Sequence, residues 1–282
     1  MTLSSSDVRR LLDEHGLRPS KARGQNFVID PNTVRRIARL ARVGPGDRAV
    51  EIGAGLGSLT LALAETGAAV TAVEVDRGLV TALRSVVASA GVTVVEGDAL
   101  TLDWEALLGA GPWILVANLP YNVATPLVAD LLDGVPAITR MLVMVQREVA
   151  QRLVAGPGDD AYGAVSVKVA YWASSRIVGS VPPTVFLPQP TVESSLVEIV
   201  RLDAPPVPDT VDRERLFRLV SAGFGQRRKM LRRSLASLVD PEAFAVAEVR
   251  PEARAEELGL DDWARLAAAS PTSAAAGSPT ES

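Results

Sequence analysis

Residues 48–76, RAVEIGAGLGSLTLALAETGAAVTAVEVD, decide the fold. RAVEIG is a short, mostly apolar run that ends on a glycine, and the segment from Ser58 to Glu65 after it carries helical spacing without a breaker. AAVTAVEVD is again short, β-branched and closed by acids. Strand, helix and strand in that order make a βαβ unit, and such units build parallel sheets. Working outward, VTVVEGD and PWILVAN read as the third and fourth strands, with Arg77 to Ala90 as a crossover helix between the second and third. TRMLVMVQ, VSVKVAYWA and SLVEIVRL read as further strands. Upstream, Asp30-Pro31 is an N-cap followed by proline at the first helical position, opening a helix through Val34, Ile37 and Leu40.

The 282 residues, 48% of them hydrophobic, suffice for one sizeable core with a small second domain beside it. Residues 1–47 form a basic helical segment and 48–202 the α/β domain. DAPPVPDT, residues 203–210, is proline-rich and polar and reads as a linker. Beyond it, Leu216, Leu219, Val220, Leu231, Leu235 and Leu238 have the spacing of packed amphipathic helices, so 211–269 is expected to be a helical domain. The small polar residues 270–282, SPTSAAAGSPTES, are expected to be a disordered tail.

The net charge of −4 conceals a strong asymmetry. Arg9, Arg10, Arg18, Lys21, Arg23, Arg35, Arg36, Arg39 and Arg42 make the first stretch basic, and Arg227, Arg228, Lys229, Arg232 and Arg233 form a second basic cluster. The compensating acids come later, from Asp240 to Asp262, so local basic faces remain for phosphates. The absence of cysteine removes thiolate nucleophiles, iron–sulfur clusters and cysteine-based zinc sites together, and no metal site is expected. The single histidine, His15, sits in a charged segment and is given no role. No apolar run approaches the roughly 18 residues of a membrane span, and the first residues are charged where a secretory segment would be apolar. A cytoplasmic protein without a membrane partner is the expectation.

Chemistry concentrates where strands end. Gly53-x-Gly55-x-Gly57 follows the first strand of the unit, and glycines let the backbone approach a ligand closely. Its spacing differs from the G-x-G-x-x-G that cradles a pyrophosphate, so a nucleoside without phosphates fits better. Glu74 closes the next strand, a place from which a carboxylate reaches ribose hydroxyls, and Asp98 ends the third, where it can accept from an adenine amine. NLPY, Asn118 to Tyr121, follows the fourth strand. It offers a side-chain amide oxygen, a Leu119 carbonyl held by Pro120, and an aromatic plane. An adenine N6 is a poor nucleophile because its lone pair is delocalised into the ring. Two acceptors gripping its hydrogens favour the tetrahedral geometry that aims this pair at a methyl donor, with Tyr121 stacking on the base.

With these motifs in order, the chain resembles the KsgA/RsmA family of ribosomal RNA adenine dimethyltransferases, relatives of the Erm resistance methyltransferases. The likeness spans roughly residues 18–240. KARGQNFVID (Lys21 to Asp30), EIGAGLGSLT, NLPY, FLPQPTVESSLV (Phe186 to Val197) and FGQRRKMLRRSL (Phe224 to Leu235) carry it. Arg23 and Ala54 depart from frequent family choices without touching the proposed chemistry. The resemblance implies a Rossmann-like class I methyltransferase sheet with a small C-terminal α-helical domain. It implies S-adenosyl-L-methionine as cofactor and S-adenosyl-L-homocysteine as product. Cofactor binding would then fall to Gln25, Asn26, Val28, Glu51, Gly53, Gly55, Glu74, Val75, Asp98, Ala99 and Asn118. Asn118, Leu119, Pro120 and Tyr121 would form the catalytic loop, with Phe186 as the second wall against a flipped base. Arg227, Arg228, Lys229, Arg232 and Arg233 would contact RNA.

The expected activity is dimethylation of N6 on two adjacent adenosines near the 3′ end of small-subunit (16S) rRNA, by a monomer acting within a pre-30S particle. An Erm-type enzyme on 23S rRNA, an assembly factor in which methylation is incidental, and a small-molecule or protein N-methyltransferase are the competing readings.

Overall fold

The computed structural model describes residues 2–20, 24–120 and 123–270. Two compact units emerge, one from the described residues of Met1–Val154 and Trp172–Asp203, the other from those of Ala155–Tyr171 and Ala204–Ser282.

The first unit holds strands β1 (Phe27–Val28), β2 (Arg48–Ile52), β3 (Ala69–Glu74), β4 (Thr93–Glu96), β5 (Trp113–Asn118), β6 (Ile138–Gln146), β7 (Ala173–Val181), β8 (Phe186–Leu187) and β9 (Ser194–Arg201). Seven of them form one sheet in the order β4-β3-β2-β5-β6-β9-β7. β2 to β6 run parallel, and β9 lies antiparallel between β6 and β7. Strand order reverses at β2, with β3 on one side and β5 on the other, which opens a crevice at their carboxyl ends. β1 and β8 pair separately, Val28 opposite Phe186.

The helix Pro31–Ala41 begins as the sequence requires: Asp30 accepts the N–H groups of Asn32 and Thr33, and Pro31 needs no donor there. Its Val34 and Ile37 pack with Leu59 and Leu63 of the helix Ser58–Ala64 over Ala49, Val116 and Leu142 of the sheet. Each such fully buried aliphatic side chain contributes about 1.5–3 kcal/mol. The N-terminal helix Ser5–Glu14, with Ser4 and Asp7 in a reciprocal capping box, seats Val8, Leu11 and Leu12 against Phe27, Leu56 and Leu79. The basic segment thus belongs to the sheet's own core.

Three sequence expectations change. VSVKVAYWA is the helix Ala164–Trp172. Alternating valines imitate a strand there, but Gly163 donates to the Ser166 hydroxyl and its carbonyl accepts the N–H groups of Ser166 and Val167, which starts a helical turn. The edge strand is instead β7, ASSRIVGSV, whose serines and arginine suit a strand with an exposed face and hide it from a search for apolar alternation. Ser270 is no part of a tail: it is buried, and its carbonyl accepts from Arg215 Nε at 2.7 Å.

The second unit contains the helices Ala164–Trp172 (up to Tyr171), Arg213–Gly225, Leu231–Ser234, Pro241–Val246 and Leu260–Ala269. Phe224 stands edge-on to Tyr162 at 5.7 Å and tilted to Trp263 at 6.1 Å, and Tyr171 stands edge-on to Phe217 at 5.1 Å. Gly223 permits this packing, since a Cβ there would lie 2.6 Å from Trp263 Cη2. Among the described residues no helix is long and apolar enough to cross a membrane.

Candidate active site

A cavity of about 370 Å³ lies at the carboxyl ends of β2, β3 and β5, within the size range of small-molecule sites. Its glycine wall is built by backbone conformation. Gly53 and Gly55 have φ of +72° and +58°, which side chains other than glycine rarely adopt. A Cβ on Gly55 would stand 3.1 Å from the Phe27 ring, so the glycine also lets the segment Gly24–Val28 close over the loop.

Two buried carboxylates occupy the floor. Glu74 accepts the N–H groups of Val75 and Asp76 on Oε1, both at 3.0 Å, and of Gly55 on Oε2 at 2.8 Å. Burial pushes its pKa up, and these three donors oppose the shift. Glu51 is 2% exposed and accepts from Thr60 Oγ1 at 2.6 Å. Burial drives its pKa to about 8, Thr60 opposes this, and the neighbouring Glu74 charge adds to it. Asp98 is exposed at the rim, where Oδ1 accepts the Leu100 N–H at 3.0 Å. Val75 and Leu100 are 54% and 48% exposed at the cavity edge, an unusual outlay of apolar surface that a flat aromatic ring would cover.

Asn118 ends β5 with its amide fixed. Nδ2 donates to the Asn26 carbonyl at 3.0 Å, which turns Oδ1 into an acceptor with no donor among the described residues. The Leu119 N–H donates to the Met144 carbonyl at 3.0 Å, while no described residue donates to the Leu119 carbonyl. Pro120 accepts from Val123 and Ala124 and so leads the loop into the helix Ala124–Gly134. Two unspent acceptors therefore stand side by side in the chain at the cavity wall.

The remaining sequence-derived residues divide clearly. Gln25, Asn26, Val28, Val75 and Ala99 line this cavity. Gln25 ties its segment to the end of β3, accepting from the Ser20 N–H at 2.8 Å and donating to Asp76 at 3.4 Å. Tyr121 lies outside the described residues. Phe186 does not line the cavity: it is 3% exposed and packs with Val34, Ile37, Met144 and Leu196. Pairing of Val28 with Phe186 on the two-residue ladder carries its ring into the core, which corrects its reading as a wall of the pocket in this conformation. Sequence reasoning missed Phe27 and Leu100; Phe27 lay inside the quoted GQNF, and Leu100 had no periodic signal at all.

In the second unit all five basic residues are exposed, Arg227, Arg228 and Lys229 on the turn between the helices Arg213–Gly225 and Leu231–Ser234, and Arg232 and Arg233 within the latter helix. Arg227 pairs with Glu256 at 2.9 Å and Arg232 with Glu252 at 3.5 Å. Arg228, Lys229 and Arg233 have no acidic partner among the described residues.

A sequence model of the family described as ribosomal RNA adenine dimethylase matches residues 17–270. The chain belongs to that family. Its relatives include the ribosomal RNA small subunit methyltransferase A of Kineococcus radiotolerans, 50% identical with 98% of this chain and 95% of the relative covered. The protein of that name from Cutibacterium acnes is 49% identical over 94% of this chain and 93% of its own length. Among solved structures, the 23S rRNA methyltransferase ErmE is 26% identical, with a TM-score of 0.67 over 85% of this chain and 97% of its own. A dimethyladenosine transferase from Plasmodium falciparum shares the fold, with a TM-score of 0.70 at 21% identity over 85% of this chain and 95% of its own. As a ribosomal RNA adenine dimethylase the chain is an S-adenosylmethionine-dependent enzyme with a Rossmann-like sheet and a helical C-terminal part. The cavity suits that donor: a glycine wall for close approach, a buried carboxylate at the end of β3, an acid at the end of β4, and apolar edges for a purine.

Proposed function

We propose that this enzyme dimethylates N6 of two adjacent adenosines near the 3′ end of small-subunit rRNA, acting as a cytoplasmic monomer on a pre-30S particle. Its relatives named as small-subunit methyltransferases, at about half identity over nearly the whole chain, favour this target. The observation that carries the chemistry is the fixed Asn118 amide, whose Oδ1 and the adjoining Leu119 carbonyl have no donor among the described residues.

S-adenosylmethionine, when bound, supplies an electrophilic methyl group. Glu74 and Asp98 would hold its ribose and adenine, and the glycine wall its amino-acid end. Asn118 and Leu119 would accept the two N6 hydrogens of the target adenine and hold its nitrogen lone pair toward the donor. Positioning of this kind supplies most of the rate, and no strong base is needed because the methylated nitrogen is acidic until it loses a proton. Tyr121 would stack on the extruded base, worth roughly 1–3 kcal/mol. Arg228, Lys229 and Arg233 would contact RNA phosphates.

Incubation with unmodified small and large ribosomal subunits, followed by reverse-transcription mapping, tests the target. Stops at neighbouring adenosines near the 3′ end of the small-subunit RNA are expected. A single stop confined to large-subunit RNA would replace this reading with the Erm-type one.

A further inference from the structure

At the amino ends of the same strands lies a second cavity, of about 430 Å³, whose walls include Arg48, Arg140 and Arg201. It belongs to neither the glycine loop nor the Asn118 loop. With strands rising about 3.3 Å per residue, it sits on the order of 15 Å from the first cavity.

The three guanidinium groups arrive from both faces of the sheet. Arg140 shares a face with the helix Pro31–Ala41 and donates through Nη2 to the carbonyls of Ala41 and Arg42, at 2.7 and 3.0 Å. Arg48 and Arg201 come from the other face. Arg48 Nη2 donates to the Ala110 carbonyl at 2.9 Å, and its guanidinium lies 5.0 Å from the centre of the Trp113 ring. Gly111 makes room for it, because a Cβ there would collide with Arg48 Nη2. Arg201 donates through Nε to Ile138 and through Nη2 to Leu131 and Val135, and stands over Trp172 at 5.6 Å.

These contacts hold the groups without spending them. Main-chain carbonyls carry no net charge, so all three positive charges remain uncompensated by ion pairs among the described residues. None of the three Nη1 groups makes a hydrogen bond there, which leaves six N–H directions by the count of two per Nη1. Asp47 is the acid in the wall, and it accepts the Gly44 N–H at 2.9 Å. Asp133 acts on Arg201 from a distance. Fixed guanidinium groups with unspent donors match the oxygens of a phosphate.

We propose that this cavity is an anion subsite that takes a backbone phosphate of the RNA substrate. It rests on the enzyme being an rRNA methyltransferase and adds a contact remote from the reacting adenine. The test uses Thr139, an exposed residue of the cavity wall on β6. Thr139→Glu places a carboxylate among the arginines without removing any bond that they make. Binding of the full chain to unmodified small subunits is measured between 50 and 200 mM salt, about the range over which phosphate contacts dominate the change. Thr139→Glu is expected to weaken binding roughly fivefold and to reduce the slope of log affinity against log salt by about 1, with Thr139→Gln unchanged and cofactor affinity intact. Arg48→Gln should lower the slope similarly, and pyrophosphate should compete with RNA in the wild type only.

Wild-type affinity and slope in both Thr139→Glu and Arg48→Gln would overturn the proposal. So would pyrophosphate binding that the variants abolish without any effect on RNA, which would make this a site for a free phosphate compound. Methyl transfer is assayed on the same samples. A wild type that modifies unmodified small subunits beside unaffected variants sinks the subsite alone, whereas one that neither binds nor modifies those subunits sinks both readings.

Discussion

The two ends of the parallel strands carry opposite chemistry. β2 starts at Arg48 and carries Glu51 next to its last residue, Ile52, and β5 starts at Trp113 and closes on Asn118. At the carboxyl ends, carboxylates and carbonyls face a cavity edged by Val75 and Leu100. At the amino ends, arginines held by carbonyls face a cavity of comparable size. The parallel sheet explains the split: its crevice forms only where strand order reverses at the carboxyl ends, so a cationic nucleoside donor and an amine are handled there. The other rim is free to meet a polyanion.

The acceptor end breaks first under substitution. Asn118→Ala removes one of the two proposed acceptors and the tie to Asn26, so kcat should fall about 10²–10³-fold, the scale of losing one preorganised polar contact to the reacting group. Cofactor affinity, read by calorimetry, should change by about tenfold or less. An equal loss in both would reassign Asn118 to cofactor binding alone.

Glu74→Gln puts an amide where three main-chain N–H groups converge. Cofactor affinity should drop about 10–100-fold, as for a hydrogen-bonded charged group, while turnover at saturating cofactor stays within a few-fold of wild type. A pure kcat effect would place Glu74 in the chemistry.

For the basic side, replacing Arg228, Lys229 and Arg233 together with alanine should lower RNA affinity by about tenfold and the salt slope by about 2–3. Arg227→Ala with Arg232→Ala should do less, because Glu256 and Glu252 already neutralise those two. Equal effects in filter-binding titrations would make the ion pairs irrelevant to RNA.

The smallest effect is on stability. The unfolded chain releases the Glu51 proton near the ordinary glutamate value of 4.5, but burial holds it to about 8 in the fold. The native state therefore carries the extra proton between those limits, and wild-type stability declines as pH rises through that window. Glu51→Gln removes the decline. Its melting temperature relative to wild type should climb by roughly 2–5 °C between pH 5 and 8. A constant difference would show Glu51 ionised throughout.

The residues at the strand ends were legible because chemistry and local structure coincide there. Gly53 and Gly55 need left-handed backbone, and Glu74 and Asn118 are polar residues closing apolar runs. Where packing alone decides, the sequence misleads. Valine alternation at 165–169 hides a helix, and β7 shows serines to solvent. Phe186 enters the core through a two-residue ladder too short to leave a periodic trace. The arginine cavity was invisible for another reason: Arg48, Arg140 and Arg201 are far apart in the chain, and only the register of β2, β5, β6 and β9 brings them to one rim.

The most direct test of the central claim is the identity of the product. Unmodified small subunits are incubated with enzyme and S-adenosylmethionine carrying a labelled methyl group, and the RNA is digested to nucleosides and separated. Label in N6,N6-dimethyladenosine, and its loss with Asn118→Ala, is the outcome that acceptors closing on an exocyclic amine require. Label on a ribose, on a ring nitrogen or on another base would contradict it.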